Sequence, residues 1–587
     1  MKKVVSTYIF LIMKSKLYIS CAMIFIPIIL MGQGIIISSS TFMTQSNGTI
    51  ILLGNWTNDG TFTPATGTVK FAGTYQTISG AAPLQSFYNL TVATPGKVTI
   101  PAQIDITVNG TLSNSTGDSG LVFKSTAVGT GSLIHNTAGV GATIDRYMNA
   151  NRWHIMSSSV TGQTIPGFVT KTSNTIPVNG SNYGMMYYSE SGGGWVYYTN
   201  PASGNLMTGT GYLLRHTADG AVSAAGMLNA AGTSVNITKA GNGWNCIGNP
   251  FPCSMNANST ANLVNNFLTV NATQLDPSFA ALYLWDEPAV KVSGVSYYKI
   301  ICNSGFISTT GKPILSQAYM QPGQGFIVKS KAGGGTVSFT TAMRVHENTG
   351  SYFKSEKASW PGINLIISSA SKSASTVITF NENMTRGLDI TYDAGLFGGD
   401  PSFKLYSRLV EDNGVNFAIQ CLPDNGFEQL RVPIGFDFKE GGTVTFTSDV
   451  VPLPAGVKAI LVDSLLGKFT DFDEPSATYT TTVNPGITGP GRFYLNISAT
   501  VSNPTTVNNI DNQSIDIYSS GEKIIVKGKI TKNTQADLYD LSGRKIRIYM
   551  LYPSEINILP ADGIPLGIYI LKISRDGVNE NKKVFLE

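Results

Sequence analysis

The sequence has few charged residues: Asp, Glu, Lys and Arg make up 13% of its 587 residues, where a typical soluble domain has about 25%. No basic block stands out, and the formal net charge is only +4. Proteins that bind nucleic acids neutralise phosphates with clustered Lys and Arg, so we expect no nucleic-acid partner. The hydrophobic fraction of 42% excludes a disordered chain, which would combine low hydrophobicity with high net charge.

Histidine is also rare. The 4 histidines are His135, His154, His216 and His346, and none belongs to the HExxH pair of a zinc enzyme. Residues 117–120 (GDSG) resemble the nucleophile loop of chymotrypsin-like proteases, but no histidine precedes them. Because those enzymes supply the general base from upstream, we expect a polar turn at this position. The sequence predicts no enzyme and no cofactor.

Long helical periodicity is nearly absent from the chain. Apolar and polar residues instead alternate with a period of two, as in 68–71 (TVKF), 443–446 (TVTF) and 523–526 (KIIV). Gly, Asn and Asp turn signals separate these runs, which is typical of short strands. The sequence therefore predicts an all-β protein, with one short helix over residues 260–268.

The N-terminus has the features of an export signal. Four lysines within the first 16 residues precede an uncharged apolar run over residues 17–31, and small residues follow it. The run contains Pro27 and is shorter than the roughly 20 residues of a membrane span. A cleaved signal peptide over residues 1–33 is therefore favoured over a retained anchor.

The rest of the chain divides into four segments and a linker. The N-terminal segment (34–145) has the short apolar pulses of a β-solenoid, with an irregular sandwich as the alternative. The central segment (146–354) is β-rich, and the third segment (355–500) is predicted to be a β-sandwich. A polar linker (501–512) precedes the terminal segment (513–587), which is predicted to be a compact Ig-like sandwich.

Three stretches occur in order near the end of the chain: 536–546 (ADLYDLSGRKI), 567–573 (GIYILKI) and 582–584 (KKV). Together they resemble the type A C-terminal sorting domain of the type IX secretion system, which exports proteins across the outer membrane of Bacteroidetes-type bacteria. The matching motif residues are Gly543, Gly567, Tyr569, Lys582 and Lys583.

The resemblance implies recognition by the type IX secretion machinery, followed by removal of this segment and by release or attachment to surface lipopolysaccharide. Residues 567–573 are apolar on both faces, so the pattern predicts a central strand that is buried on both sides. Residues 153–160, 248–252 and 324–328 resemble segments of large surface proteins of the same bacteria, and they imply architecture without chemistry.

Two cysteines of the central segment are candidates for a disulfide. Cys246 and Cys253 flank Ile-Gly-Asn-Pro-Phe-Pro, a stretch that can reverse the chain. Closing so short a loop would stabilise the fold by roughly 2.5 kcal/mol. The alternative is a pair of buried free thiols.

Asp471 and Asp473 form a weak candidate calcium site. Residues two apart on an extended chain lie on one side, where their oxygens can share a calcium ion. The other positions of an EF-hand loop are missing, so the alternative is a solvated acidic loop.

Aromatic residues near carboxylates suggest a glycan site. Asp286 and Glu287 follow Trp285, and Glu190 lies near Trp195. Neighbours on a strand point to opposite faces, so we do not expect Asp286 and Glu287 to share a site. The alternative is that these aromatic side chains fill a core.

Two functions remain open. The first is an exported structural or adhesive protein, secreted or held on the outer cell surface. The alternative is a secreted protein that binds or degrades polysaccharide, with extracellular glycan as its partner. Burial of Trp153, Trp195, Trp244 and Trp285 would favour the first function. An aromatic cleft with two convergent carboxylates would favour the alternative.

Overall fold

The computed structural model describes residues 31–32, 34–82, 84–288, 297–304, 318–347, 360–425, 429–454, 456–473, 477–499, 516–519, 523–530, 532–540, 543–575 and 578–586. Most of the predicted signal peptide (1–33) and the whole predicted linker (501–512) lie outside the described residues. The chain divides into two compact units, Met1–Val501 and Ser502–Glu587. Both units are built from strands, so the predicted all-β class is confirmed.

The strands of the first region are β1 (Met31–Gly32), β2 (Ile35–Ile37), β3 (Phe42–Gln45), β4 (Thr49–Leu52), β5 (Trp56–Asn58), β6 (Thr61–Pro64), β7 (Thr68–Phe71), β8 (Gln76–Ser79), β9 (Leu84–Phe87), β10 (Asn89–Val92), β11 (Val98–Ile100), β12 (Asp105–Val108), β13 (Leu112–Asn114), β14 (Leu121–Phe123), β15 (Ser125–Thr126), β16 (Gly129–Thr130), β17 (Ser132–Ile134) and β18 (Gly141–Met148).

These strands form a β-solenoid in which successive coils pair in parallel. In the stack β1-β4-β7-β10-β13, Val69 lies opposite both Ile50 and Leu90. Leu90 in turn lies opposite Leu112. Side chains alternate between the two faces of a strand, so each coil adds one apolar residue to the same inward column. The β-solenoid predicted for the N-terminal segment is confirmed.

The central segment continues with β19 (Trp153–Ser157), β20 (Val160–Thr161), α1 (Ile165–Val169), β21 (Val178–Asn179), β22 (Asn182–Ser189), β23 (Gly194–Thr199), β24 (Gly211–Arg215), β25 (Gly220–Leu228), β26 (Thr233–Ile237), β27 (Trp244–Gly248), β28 (Ser254–Asn256), α2 (Phe267–Asn271), β29 (Leu282–Trp285), β30 (Tyr298–Ile301), β31 (Tyr319–Met320), β32 (Gly325–Lys329), β33 (Gly335–Phe339) and β34 (Arg344–Val345). Single 3₁₀ turns occur at Thr172–Asn174, Ala272–Gln274, Pro277–Phe279 and Thr341–Met343.

The solenoid and the central segment share one sheet. Strand β18 pairs in parallel with β14 of the last coil and antiparallel with β25 of the central segment. The boundary expected between residues 145 and 146 therefore falls inside β18. The hydrogen bonds of the sheet run continuously through this position.

The helix of the central segment begins later than predicted. The sequence predicts it over residues 260–268, but α2 starts at Phe267. The Asn266 side chain accepts a hydrogen bond from the Thr269 backbone N–H at 2.8 Å, which caps the helix. The cap fixes the first residue of the helix through a polar contact, and the pattern of apolar residues does not predict such a contact.

The third segment consists of β35 (Gly362–Ser368), β36 (Ser373–Phe380), β37 (Ala394–Gly395), β38 (Phe403–Ser407), β39 (Phe417–Leu422), β40 (Gln429–Phe438), β41 (Gly442–Val451), β42 (Val457–Asp463), β43 (Lys468–Asp471), β44 (Thr478–Val483) and β45 (Phe493–Ala499).

These strands form one sheet that folds over its own core. The sheet order is β43-β42-β45-β40-β38-β39-β36-β35-β41-β44, with β37 beside β39. Phe446 on β41 and Phe493 on β45 are far apart in this order, yet their ring centroids are 4.8 Å apart. The two ends of the sheet must therefore face each other, as in a sandwich.

The second unit contains β46 (Asp516–Ser519), β47 (Lys523–Ile530), β48 (Thr534–Asp540), β49 (Lys545–Leu551), β50 (Ser554–Pro560), β51 (Gly567–Arg575) and β52 (Val578–Leu586). They form two antiparallel sheets, β46-β47-β50 and β49-β48-β51-β52. Side chains from both sheets, including Val526 and Leu571, belong to one buried core. The predicted C-terminal sandwich is confirmed.

Strand β51 is central in its sheet, but it is not buried on both faces as predicted. Tyr569, Leu571 and Ile573 are buried, whereas Ile570 and Lys572 on the opposite face are partly exposed. A sandwich of two sheets covers only the inner face of each sheet, so the apolar outer residues of β51 remain in contact with solvent.

We predict that Tyr569→Ala destabilises the second unit far more than Lys572→Ala does. Tyr569 is buried, and its hydroxyl donates to the Pro565 carbonyl oxygen at 2.7 Å. Truncating a buried aromatic side chain costs about 3–5 kcal/mol, whereas a surface change costs within about 0.5 kcal/mol. Hydrogen–deuterium exchange of β48 and β51 in the full chain measures the difference. Equal exchange in the two variants would contradict the core position of Tyr569.

Candidate functional site

The tryptophans of the central segment gather around one buried cluster of aromatic side chains. Trp244 on β27 is 8% exposed. Its ring lies 5.0 Å from Tyr283 and 3.9 Å from Phe397 of the third segment, measured between ring centroids. Tyr298 on β30 lies 4.5 Å from the same Phe397 ring. These contacts fill the junction between the central and third segments.

The other three tryptophans are partly exposed and pack on this same cluster. The ring-centroid distances are 6.2 Å for Trp153–Tyr197, 5.2 Å for Trp195–Tyr188 and 4.9 Å for Trp285–Tyr298. Most of the aromatic surface is therefore used in packing. Only the outer parts of these rings are available to a ligand.

A cleft of about 140 Å³ opens beside Trp285 at the edge of this cluster. Residues of β18, β19, β29 and the β32 turn line it. The lining residues are Ala127, Arg146, Tyr147, Met148, Asn149, Arg152, His154, Ile155, Leu284, Trp285, Asp286, Glu287, Gln324 and Gly325. Two parts of the chain that are distant in sequence thus line one cleft. Residues 146–155 bring Arg146 and Arg152, and residues 284–287 bring Asp286 and Glu287.

Asp286 and Glu287 line the same cleft, contrary to the sequence expectation. Strand β29 ends at Trp285, so the alternation of a strand does not apply to the two residues that follow. The Glu287 carboxylate is buried, and its Oε2 accepts a hydrogen bond from the Trp153 backbone N–H at 2.6 Å. Glu287 therefore anchors β19 against the end of β29.

Burial governs the electrostatics of the cleft. It raises the pKa of Asp286, against the opposing charges of Lys299 and Arg152. Burial, together with the nearby charges of Arg146 and Arg152, also lowers the pKa of His154 to about 4, against the opposing effect of a hydrogen bond to the Asn149 carbonyl oxygen. Near neutral pH the imidazole of His154 is therefore neutral.

Glu190, the other candidate carboxylate, has a structural role. Its oxygens accept hydrogen bonds from the backbone N–H groups of Ala240, Gly241 and Gly243 at 2.7–2.9 Å, and from the Thr238 hydroxyl at 3.0 Å. These donors lower the pKa of Glu190 against the opposing effect of burial. The carboxylate closes the loop between β26 and β27 and is not directed toward the cleft.

The residues that carry the resemblance to a sorting domain lie on or beside one four-stranded sheet of the second unit. Tyr569 on β51 is opposite Asp540 of β48 and Val584 of β52. Lys582 and Lys583 are exposed on β52, where they pair with Leu571 and Ile570. The structure thus places the three stretches of the motif on neighbouring strands.

Both motif glycines have a backbone conformation that other residues rarely adopt. Gly543, in the turn between β48 and β49, has a φ of +83°, and Gly567 at the start of β51 has a φ of +153°. A side chain at either position would be strained. The Gly543 N–H donates to the Asp540 carbonyl oxygen at 3.0 Å.

The candidate disulfide is not formed in the structure. Cys246 and Cys253 are buried free thiols, and they belong to different hydrophobic clusters. The Asn249 amide fixes the loop between them by donating to the carbonyl oxygens of Cys253 at 2.8 Å and Met320 at 3.1 Å. Burial raises the pKa of the Cys253 thiol to about 12.

At the candidate calcium site, Asp471 and Asp473 flank one buried residue. Asp473 pairs with Lys458 at 3.0 Å, and Phe472 between the two aspartates is buried. Within the described ranges, no group of three or more His, Cys, Asp or Glu side chains is placed to hold a metal ion. At the GDSG string, the Gly120 N–H donates to the Gly117 carbonyl oxygen at 3.0 Å, which is the predicted turn.

One polar cluster gives no sequence signal, because its members are far apart in the chain. His346 Nε2 lies 2.8 Å from the Thr107 hydroxyl, and its Nδ1 lies 2.8 Å from the Ser132 hydroxyl and 3.6 Å from Asp105 Oδ1. Burial, aided by the Glu347 charge, raises the pKa of Asp105 to about 7. The cluster joins the outer face of the solenoid to the end of the central segment.

The fold and the cleft define an all-β protein that combines a solenoid, a continuous mixed-sheet region and a separate C-terminal sandwich. The chain belongs to the family described as "Domain of unknown function (DUF8693)", whose model matches residues 52–496. No curated protein matches the chain. None of the described helices is long and apolar enough to cross a membrane.

Among solved structures, the chain is similar to a β-glucuronidase of Ruminococcus gnavus. The two are 14% identical over 25% of this chain and 35% of the glucuronidase, with a TM-score of 0.10. The match thus spans about a third of the length of that enzyme. At this TM-score the likeness carries no argument about fold or activity.

We predict that His154 makes the protein less stable in acid. Its pKa is about 4 in the folded state, against an ordinary 6.5, so only the unfolded chain binds a proton there between these values. The stability that the neutral imidazole contributes is complete above pH 6.5 and falls as the pH drops toward 4. At pH 5 the loss reaches about 2 kcal/mol.

The test compares urea unfolding at pH 7 and pH 5 for the wild type and His154→Gln, which keeps a polar side chain. The variant should lose less stability in acid than the wild type. An identical loss in both proteins would contradict a neutral, buried His154.

Proposed function

We propose that the protein is an exported structural or adhesive protein of the outer cell surface or the extracellular medium, and that residues 513–587 act as its C-terminal secretion and sorting signal. The observation that carries this proposal is the separate second unit. It has its own core, and its motif residues lie on neighbouring strands of one sheet. A signal read by export machinery needs a folded surface that does not depend on its cargo.

The first unit suits a structural or adhesive cargo. It has an extended solenoid stack, a low content of charge and a junction filled with aromatic side chains. The partners in this proposal are the type IX secretion machinery and, after export, surface lipopolysaccharide or extracellular glycan. No catalytic residue is assigned.

A secreted protein that binds or degrades polysaccharide is the second candidate. It is favoured by one observation: Asp286 and Glu287 line a single cleft beside Trp285. Binding is better supported than degradation, because glycoside hydrolysis needs two carboxyl groups free to act on the substrate, and Glu287 is buried and bonded to the Trp153 backbone.

Deleting residues 513–587 should leave a folded protein in the periplasm, because the first unit keeps its own cores and loses only the proposed signal. Cell fractionation with immunoblotting measures the location, and limited proteolysis of the retained protein tests its folding. The full-length Lys468→Gln variant, which changes an exposed residue of the first unit, is the control and should reach the surface. Surface delivery of the truncated chain would overturn the sorting assignment.

A further inference from the structure

We propose that the cleft beside Trp285 binds one uncharged sugar ring, presented as the end or a branch of a glycan. This inference names a ligand for the first unit, and it does not depend on the export route. Three cleft residues, Arg152, Trp285 and Asp286, carry the argument. They come from the β18–β19 connection and from the end of β29.

Each of these residues has polar capacity that the described part of the chain leaves unused. The Trp285 indole Nε1–H is buried and has no hydrogen-bond acceptor. The Arg152 guanidinium and the Asp286 carboxylate make no hydrogen bond to another described side chain or backbone group. The Trp285 N–H is enclosed, whereas Arg152 and Asp286 are partly exposed, so a ligand in the cleft can pair with the guanidinium and the carboxylate.

The charges of the cleft select against a simple ion. Arg152 and Asp286 carry opposite charges and act on each other across the cleft. An anion would be attracted by Arg152 and repelled by Asp286, and a cation would experience the reverse. A sugar hydroxyl both donates and accepts hydrogen bonds, so a single uncharged ring can pair with a carboxylate and a guanidinium at once while its C–H face packs on the outer part of the Trp285 ring.

The size and the walls of the cleft agree with a single ring. Its volume of about 140 Å³ is below the roughly 300–1,000 Å³ of pockets that enclose drug-sized ligands. Ile155 provides apolar wall beside the Trp285 ring, which suits the C–H face of a sugar. The Arg146 guanidinium donates a hydrogen bond to the Pro322 carbonyl oxygen at 2.9 Å. This bond fixes the Arg146 side of the cleft before a ligand binds.

The test uses the full chain and the methyl glycosides of glucose, galactose, mannose and N-acetylglucosamine as probes. Saturation-transfer difference NMR and calorimetric titration measure binding. We expect saturable, millimolar binding of at least one of these sugars. Asp286→Asn and Arg152→Gln should each weaken binding about tenfold or more, since a lost hydrogen bond to a charged group is worth about 1.5–3 kcal/mol, and Trp285→Ala should weaken it by removing the ring on which the sugar packs.

The matched controls are Tyr75→Ala, which removes an aromatic ring that is 79% exposed on the solenoid, and Lys468→Gln, which removes an exposed charge of the third segment. Both should bind like the wild type, and near-UV circular dichroism should show the native fold in every variant. The export assay of the truncated chain is independent, so the two proposals can fail separately.

Three results would overturn the inference. The first is no saturable binding of any uncharged probe. The second is binding that all three cleft variants retain, because the sugar would then bind elsewhere. The third is tighter binding of galacturonate that depends on Arg152 but not on Asp286, because the cleft would then be an anion site.

Discussion

Strand β18 (Gly141–Met148) holds the first unit together, because it pairs along both of its edges. One edge continues the parallel stack of the solenoid through β14, and the other forms an antiparallel ladder with β25 that runs the length of the strand. The end of a solenoid otherwise exposes unpaired backbone groups, which invite aggregation. Here the central segment covers that end and continues the sheet.

The same strand positions the cleft. Arg146 and Tyr147 lie on β18, and the chain then turns into β19, which carries His154. The Glu287 carboxylate fixes the start of β19 through the Trp153 N–H. The cleft walls are therefore held by a sheet and by a buried hydrogen bond, so its geometry does not rest on loops alone.

Aromatic packing joins the central segment to the third. Trp244 contacts Phe397, and the Tyr283 hydroxyl donates to the Gly395 carbonyl oxygen at 2.8 Å. Large aromatic side chains bury much apolar surface while their polar atoms still find partners. This junction uses most of the tryptophan surface that the sequence offers for a glycan groove, and it leaves the outer parts of Trp153, Trp195 and Trp285 open.

Some features followed from the sequence alone because they depend on local chemistry. Period-two alternation predicted strands such as Thr68–Phe71, and the Gly-Asp-Ser-Gly string predicted the turn at residues 117–120. The compact terminal segment was also evident, since its alternating strands and turns lie close together in the chain. The exposure of the outer face of β51 was not evident, because residues 567–573 are apolar on both faces. The sequence pattern cannot show that a two-sheet sandwich covers only one of these faces.

Tertiary structure decided the features that join distant residues. The alternation of a continuous strand would place Asp286 and Glu287 on opposite faces. Strand β29 ends at Trp285, however, and both residues line one cleft. His346 contacts Thr107 across 239 positions of sequence, a distance over which no local pattern operates. Hydrophobic alternation determines which faces of a strand are apolar, whereas the stacking of sheets determines which of those faces meet and which polar groups are left at their edges.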